Sequence, residues 1–165
     1  MFGFLKRRKI ELQARNLIGV ELHRQISEAF RGDEESTAKR LPSFFTAGYL
    51  YGFVRIGFFT ITGVGGEPAA ARHLKHICDG VLPGTLYEIF QRMLAALEVA
   101  RGIEKRDVKR SATLPSPVEA DRMFEAGAEY GLRDATDCFA PFSNSRSNGL
   151  RDFLTGKIEA VPLSK

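Results

Sequence analysis

Apolar residues recur along much of the chain at the spacing of an α-helix that buries one face. The first such stripe predicts a helix from about Lys9 to Phe30, because its members stand three and four residues apart. Gly32 follows as a stop signal, and residues 33–40 are predicted to be a charged linker. The apolar stripe of this helix consists of Ile10, Ala14, Leu17, Ile18, Leu22, Ile26, Ala29 and Phe30.

Two further helices carry recognisable start signals. Thr85 with Glu88, and Ser116 with Glu119, have the spacing of a capping box, in which each side chain can bond a backbone amide of the first turn. Pro117 suits the first helical position, because the N–H that it lacks would have no helical partner there. The helices predicted from these signals run over about 85–102 and 116–139, and shorter ones are predicted near 68–78 and 149–154.

The most apolar stretch, residues 44–64, contains one charged residue, Arg55. It is long enough to cross a bilayer, but an arginine near the middle of a membrane span costs at least ~2.5 kcal/mol. We therefore predict a buried core helix over about 44–62. Residues 53–62 also have the β-branched and aromatic density of a strand, so the sequence leaves helix or strand open for them.

These elements predict an all-α fold, a single-domain bundle of five or six helices around the apolar central helix at about 44–62. The length of 165 residues fits one domain with one core. We expect a basic segment that can fray over residues 1–9 and the helical domain over residues 10–165.

Two pairs of glycines stand four residues apart within predicted helices. Gly48 and Gly52 belong to the central helix, and Gly127 and Gly131 belong to the helix near 116–139. Each pair makes a smooth face that allows a neighbouring backbone to approach closely, so we expect the two helices to cross at these faces. The alternative is that the glycines are merely tolerated, at a cost of ~1 kcal/mol each.

The basic excess of the chain lies at one end. The run Lys6–Lys9 supplies the whole net charge of +4. A nucleic-acid-binding domain spreads its basic residues over a face or along a helix, so nucleic acid is not expected as a partner. Apolar residues followed by cations are the pattern of a weak membrane-surface anchor, and a basic tail that aids solubility is the alternative. The residues of this candidate anchor are Phe2, Phe4, Leu5, Lys6, Arg7, Arg8 and Lys9.

A loose group of metal-ligand types occurs in the helix near 68–78. His73 and His76 are three residues apart, and Cys78 and Asp79 follow. Zinc or another divalent metal requires three or four such groups to converge, with a ligand from another helix if these do not suffice. The alternative is two surface histidines beside a buried cysteine, and no cofactor is expected in that case.

Arg55 is the candidate anchor for an anion or for a buried charge pair. On a helix it falls on the side of Gly48 and Gly52, within an apolar segment. A buried arginine needs a carboxylate or several carbonyls to offset its desolvation, and Glu125 or Glu129 are candidate partners. The loops at 63–66 and 143–149 could also receive an anion, but the first lacks the third glycine of a dinucleotide motif.

By elimination, the sequence favours a non-catalytic protein that acts through protein–protein contacts and associates with itself as a homodimer. No G-x-S-x-G nucleophile motif is present, and the question of an enzyme stays open but leans towards no. Two cysteines cannot form a disulfide framework, which suits the cytoplasm. The alternatives are a small metal- or anion-binding protein or enzyme built on the histidine cluster, and a peripheral membrane protein held by residues 1–9.

Overall fold

The computed structural model describes residues 2–63, 67–82, 84, 86–103, 117–141 and 145–159. Within these ranges the chain forms helices and no strand, which confirms the predicted all-α bundle. The seven helices of the described ranges are α1 (Phe2–Gly32), α2 (Glu34–Arg40), α3 (Phe44–Thr62), α4 (Glu67–Val81), α5 (Leu86–Ile103), α6 (Pro117–Phe139) and α7 (Gly149–Leu154).

The central helix α3 has the predicted bounds, and residues 53–62 are helical. Ser43 caps its N-terminus by accepting a hydrogen bond from the Thr46 amide, and Gly63 ends it with a left-handed backbone (φ 66°). By length and composition α3 could cross a membrane, but 61% of its most apolar window is buried inside the bundle. In this structure it is the core helix, packed against α6, α1 and α4.

The hydrophobic core is built around one side of α3 and one stripe of α1. From α3 it takes Phe45, Tyr49, Phe53 and Phe58, and all four are fully buried. The short helix α7 closes the end of this core with Leu150, Phe153 and Leu154. The stripe of α1 that packs into it consists of Ala14, Ile18, Leu22, Ile26 and Ala29.

The N-terminal region is more helical than the sequence suggested. Helix α1 begins at Phe2, seven residues before the predicted start, so the helix includes the basic run. The predicted linker at 33–40 is also wrong, because it contains α2. Asp33 caps α2, and its acidic first turn and basic last turn match the helix dipole. The predicted capping residues Thr85 and Ser116 lie outside the described residues.

The cap of α2 gives a direct stability prediction. The Asp33 carboxylate accepts a hydrogen bond from the Ser36 amide at 2.9 Å. We expect Asp33→Ala to lower the free energy of unfolding by about 1 kcal/mol, measured by urea unfolding followed by circular dichroism. Glu35→Ala, a matched change in the same first turn without the cap, should cost only a few tenths of a kcal/mol. Equal losses for the two variants would contradict the capping role.

The two glycine pairs lie against each other where α3 crosses α6. A Cβ atom added at Gly48 would stand less than 3.0 Å from the backbone of Phe124, and one added at Gly127 would meet the backbone of Phe45 in the same way. Gly52 and Gly131 make the equivalent contacts with the carbonyls of Ala128 and Tyr49. The contact is reciprocal, and the two helices run in the same direction through it.

Candidate binding groove

An open cleft of about 750 Å³ lies between α1 and α4. Among the described residues, its walls carry four arginines and a single acidic residue, Glu11. The sequence offered the basic run at the start of α1 and the histidines of α4 as separate features, and the fold places them opposite each other. The lining residues are Arg7, Arg8, Glu11, Leu12, Arg15, Arg72, His73 and His76.

Glu11 is the hub of this cleft. Its carboxylate accepts a hydrogen bond from Arg7 Nε at 3.3 Å and from Arg72 Nη2 at 3.4 Å, and it lies 3.6 Å from His73 Nε2. Burial acts to raise the pKa of Glu11, but the bonds from Arg72 and His73 outweigh it and leave the pKa below its ordinary value. Glu11 is therefore ionised at neutral pH and holds cations of both helices.

Two arginines of the cleft are left without a counter-charge. Arg8 and Arg15 lie on α1 two helical turns apart, and neither forms an ion pair with any residue in the part of the chain that the structure describes. A cleft whose walls carry an excess of one sign of charge focuses its field and attracts ligands of the opposite sign. This cleft is therefore suited to an anionic group.

His73 is held in place and kept neutral. Its ring stacks on Phe58 with centroids 5.3 Å apart, and its Nδ1 is buried without a hydrogen-bond partner among the described residues. Burial lowers the pKa of His73, and this effect exceeds the opposite effect of Glu11. At neutral pH the ring is consequently uncharged, so it shapes the wall of the cleft and adds no positive charge.

A second cleft of about 690 Å³ continues the first along the same two helices. Arg15 and His76 line both clefts, so the two form one groove. This half is mainly apolar, and two of its lining residues, Gly19 and Gly80, have no side chain. A Cβ added at either glycine would have nothing within 4 Å. The residues lining it are Arg15, Asn16, Gly19, Val20, His23, His76, Ile77, Gly80 and Val81. We call the joined clefts the α1–α4 groove.

The four predicted metal ligands do not come together. His76 is exposed, while Cys78 is buried on the core side of α4, where burial raises the pKa of its thiol to about 12. Asp79 is bound to Lys75 at 2.8 Å. The separation follows from helix geometry, since neighbouring residues point about 100° apart. In the described ranges no three His, Cys, Asp or Glu side chains are grouped as a metal site would require.

Arg55 is exposed, so the expectation of a buried arginine is wrong. Beyond the glycine crossing, α6 continues over the opposite face of α3, where Phe139 contacts Phe53 and approaches Gly57. The side of α3 that carries Arg55, together with Tyr51 and Phe59, is thereby left at the surface. Glu125 and Glu129 are also exposed. The expected buried charge anchor is absent from this position.

The strongest buried polar cluster has a structural role. Asp134 Oδ2 accepts hydrogen bonds from Tyr49 Oη at 2.6 Å, Ser147 Oγ at 2.8 Å and the Gly149 amide at 2.8 Å. Gln25 adds bonds to Ser147 Oγ at 3.0 Å and to the Leu150 amide at 3.1 Å. The Asp134 carboxylate is engaged by these three donors, and the cluster connects α7 to α1, α3 and α6.

The remaining predicted sites are described in part. Arg7, Arg8 and Lys9 of the candidate membrane anchor are exposed, while the side chains of residues 2–6 lie outside the described ones. The loop residues 64–66 and 142–144 also lie outside them. Arg7 and Arg8 line the α1–α4 groove.

Glu11, Arg15 and Arg72 were missed by sequence reasoning. The signal for the first two was present, because positions 8, 11, 12 and 15 share one face of α1. Arg72 could not be found, since the pairing of α1 with α4 depends on the tertiary fold. The chain matches no known family model, no curated protein and no solved structure in the comparisons made.

Proposed function

We propose that this protein is a non-catalytic cytoplasmic binding protein that acts through protein–protein contacts and associates with itself. The observation that carries the proposal is the uncovered surface of α1 beside the α1–α4 groove. Val20 is 70% exposed and Leu17 is 54% exposed on this helix, beside the open glycines of the groove. Exposed apolar side chains rimmed by polar ones are typical of protein-binding surfaces.

The placement of the reactive side chains supports the same proposal. Cys78 is held as a buried thiol, His73 and His76 line the same cleft but differ in exposure, and Asp134 is engaged in the core. A nucleophile needs a base within hydrogen-bond reach, and the described residues provide no such arrangement for Cys78. Both cysteines are free thiols, as suits the cytoplasm.

Native mass spectrometry of the tag-free protein, with elemental metal analysis of the same sample, tests this proposal. We expect a metal-free dimer for the wild type and a monomer for the double variant Leu17→Glu/Val20→Glu, because a charge placed in an apolar contact must be desolvated. The matched control is Val118→Glu/Leu132→Glu, which changes two similarly exposed residues of α6 and should remain a dimer.

Four results would overturn the proposal. A stoichiometric metal that disappears in His73→Ala or His76→Ala would favour a metal protein. A retained small molecule would favour a ligand-binding protein or an enzyme. A wild-type monomer, or a dimer unaffected by the α1 variant, would remove self-association through α1.

A further inference from the structure

The charge and apolarity of the residues that line the α1–α4 groove indicate what kind of partner it binds. At one end Arg8, Arg15 and Arg72 face the cleft, and Glu11 is the only carboxylate that the described residues contribute to its walls. At the other end Ile77 and Gly80 form an apolar floor. Positive charge at one end and apolar small residues at the other are the complement of a segment that is acidic at one end and apolar at the other.

The length of the groove indicates the shape of that segment. The α1 residues that line the groove extend from Arg7 to His23. From Arg8 to His23 the distance along α1 is about 22 Å at the rise of an α-helix. A helix of about four turns has the same length. Gly19 and Gly80 lack neighbours within 4 Å, so the backbone of such a helix can approach α1 and α4 closely.

We propose that the α1–α4 groove binds an acidic amphipathic helix of a partner protein. Its carboxylates lie over Arg8, Arg15 and Arg72, with which they form paired hydrogen bonds. Its small and apolar side chains lie over Gly19, Ile77 and Gly80. This inference rests on the proposed function, because it names the partner of a protein that acts through protein–protein contacts.

Glu11 positions the arginines for this partner. By binding Arg7 and Arg72 from two helices, its carboxylate keeps both guanidinium groups at the cleft and lowers the repulsion between them. Arg8 and Arg15 need no rearrangement to bind, since they have no ion-pair partner to give up among the described residues. The groove is thereby organised for carboxylates before the partner arrives.

An acidic helix accounts for the whole groove better than a nucleic acid or a lipid surface does. A phosphate chain would use the arginines at one end and leave the apolar floor around Ile77 and Gly80 uncovered. A membrane surface would use the exposed arginines and likewise leave the floor between the two helices uncovered. Both alternatives enter the experiment as separate arms.

The test uses fluorescence anisotropy with two labelled helical peptides of about 16 residues. One has glutamates in its first two turns and alanine and leucine in the rest, and the other has lysine in place of every glutamate. We expect wild-type protein to bind the acidic peptide, with affinity falling as salt rises from about 50 mM to about 300 mM. The lysine peptide should not bind.

The variants locate the binding. Arg8→Ala/Arg15→Ala should weaken binding of the acidic peptide at least about tenfold, since two charge-assisted contacts are lost. Gly80→Leu should weaken it similarly by filling the apolar half. Arg92→Ala, which removes an exposed arginine of α5, is the matched control and should leave the affinity unchanged. Thermal unfolding of each variant shows that the fold is retained.

Several outcomes would overturn the inference. These are equal binding of the two peptides, no binding of the acidic one, or the same affinity for the Arg8→Ala/Arg15→Ala and Arg92→Ala variants. If a uridylate oligomer bound more tightly than the acidic peptide and its binding depended on Arg8 and Arg15, the groove would be a nucleic-acid site. The same result with phosphatidylserine vesicles would identify a membrane site. If the groove variants were monomers in native mass spectrometry, a second copy of the chain would be the occupant. The dimer itself is tested by the single variant Leu17→Glu, which is not among the residues that line the groove, so failure here and failure of the proposed function are distinguishable.

Discussion

Gly48→Ala should lower the free energy of unfolding by on the order of 3 kcal/mol, a large effect for the addition of one methyl group. The new Cβ would overlap the carbonyl oxygen and carbon of Phe124. Both belong to the backbone of α6, so no side chain can turn aside, and α3 and α6 must move apart. In a chain of this length the loss corresponds to a fall in melting temperature of roughly 6–12 °C.

The crossing is sensitive because its four glycines work as reciprocal pairs. As Gly48 meets the backbone around Phe124, so Gly127 meets the backbone of Phe45. The close approach also permits Cα–H···O contacts between the helices, which weaken as soon as the backbones separate. Gly127→Ala should therefore destabilise the protein by a similar amount, and Gly48→Ala/Gly127→Ala by less than the sum, because one displacement relieves both overlaps.

Gly19→Ala and Gly80→Ala are the matched controls for the glycine crossing. They make the same chemical change in α1 and α4, where a Cβ has nothing within 4 Å. Each should stabilise the protein by about 0.5–1 kcal/mol, since alanine restricts the unfolded chain and favours a helix. Urea unfolding followed by circular dichroism measures the four single variants and the double variant. A Gly48→Ala protein as stable as Gly80→Ala would show that α3 and α6 do not cross at these glycines.

Much of the fold could be predicted because its signals are local. The bounds of α3 follow from Ser43, which caps its first turn, and from Gly63, which supplies the left-handed residue at its end. The glycine faces follow from spacing alone. Helix α2 was missed because six of its seven residues are polar and show no apolar period, although Asp33 provides a cap.

The features that could not be predicted depend on which helices pack together. Arg8 and Arg15 share a face of α1, but only the pairing with α4 brings Arg72 and His73 to that face. Arg55 shares the side of the glycines, yet the oblique path of α6 leaves it exposed. The 3.6-residue periodicity of a helix predicts which face of the helix a residue lies on. It does not predict how far a neighbouring helix stays in contact with that face.

Asp134→Ala should also cost on the order of 3 kcal/mol, through the opposite mechanism of removing atoms from a buried cluster. The Asp134 carboxylate accepts hydrogen bonds from Tyr49 Oη, Ser147 Oγ and the Gly149 amide. Tyr49 is fully buried, and burial raises the pKa of its phenol well above the ordinary value, so the hydroxyl remains a proton donor that needs an acceptor. Leaving these donors without the Asp134 acceptor is expensive.

The loss should be concentrated at α7, because Asp134 binds the amide of its first residue, Gly149. In Asp134→Ala we expect faster hydrogen exchange at Leu150 and its neighbours before the rest of the bundle opens. Asp152→Ala is the control, since that carboxylate pairs with Arg151 and Lys157 near the surface and should contribute at most about 1 kcal/mol.

A double-mutant cycle with Tyr49→Phe decides whether Asp134 acts through the tyrosine. Tyr49→Phe removes one donor and leaves Asp134 bound to Ser147 and Gly149, so it should cost only about 1–2 kcal/mol. Asp134→Ala is harmful partly because the Tyr49 hydroxyl loses its short bond and keeps the long one to Gln25 Oε1 at 3.4 Å. Adding Tyr49→Phe to it should therefore cost little more, which gives a coupling of about 1 kcal/mol. Additive losses, with hydrogen exchange at α7 unchanged, would mean that the cluster does not hold α7 to the core.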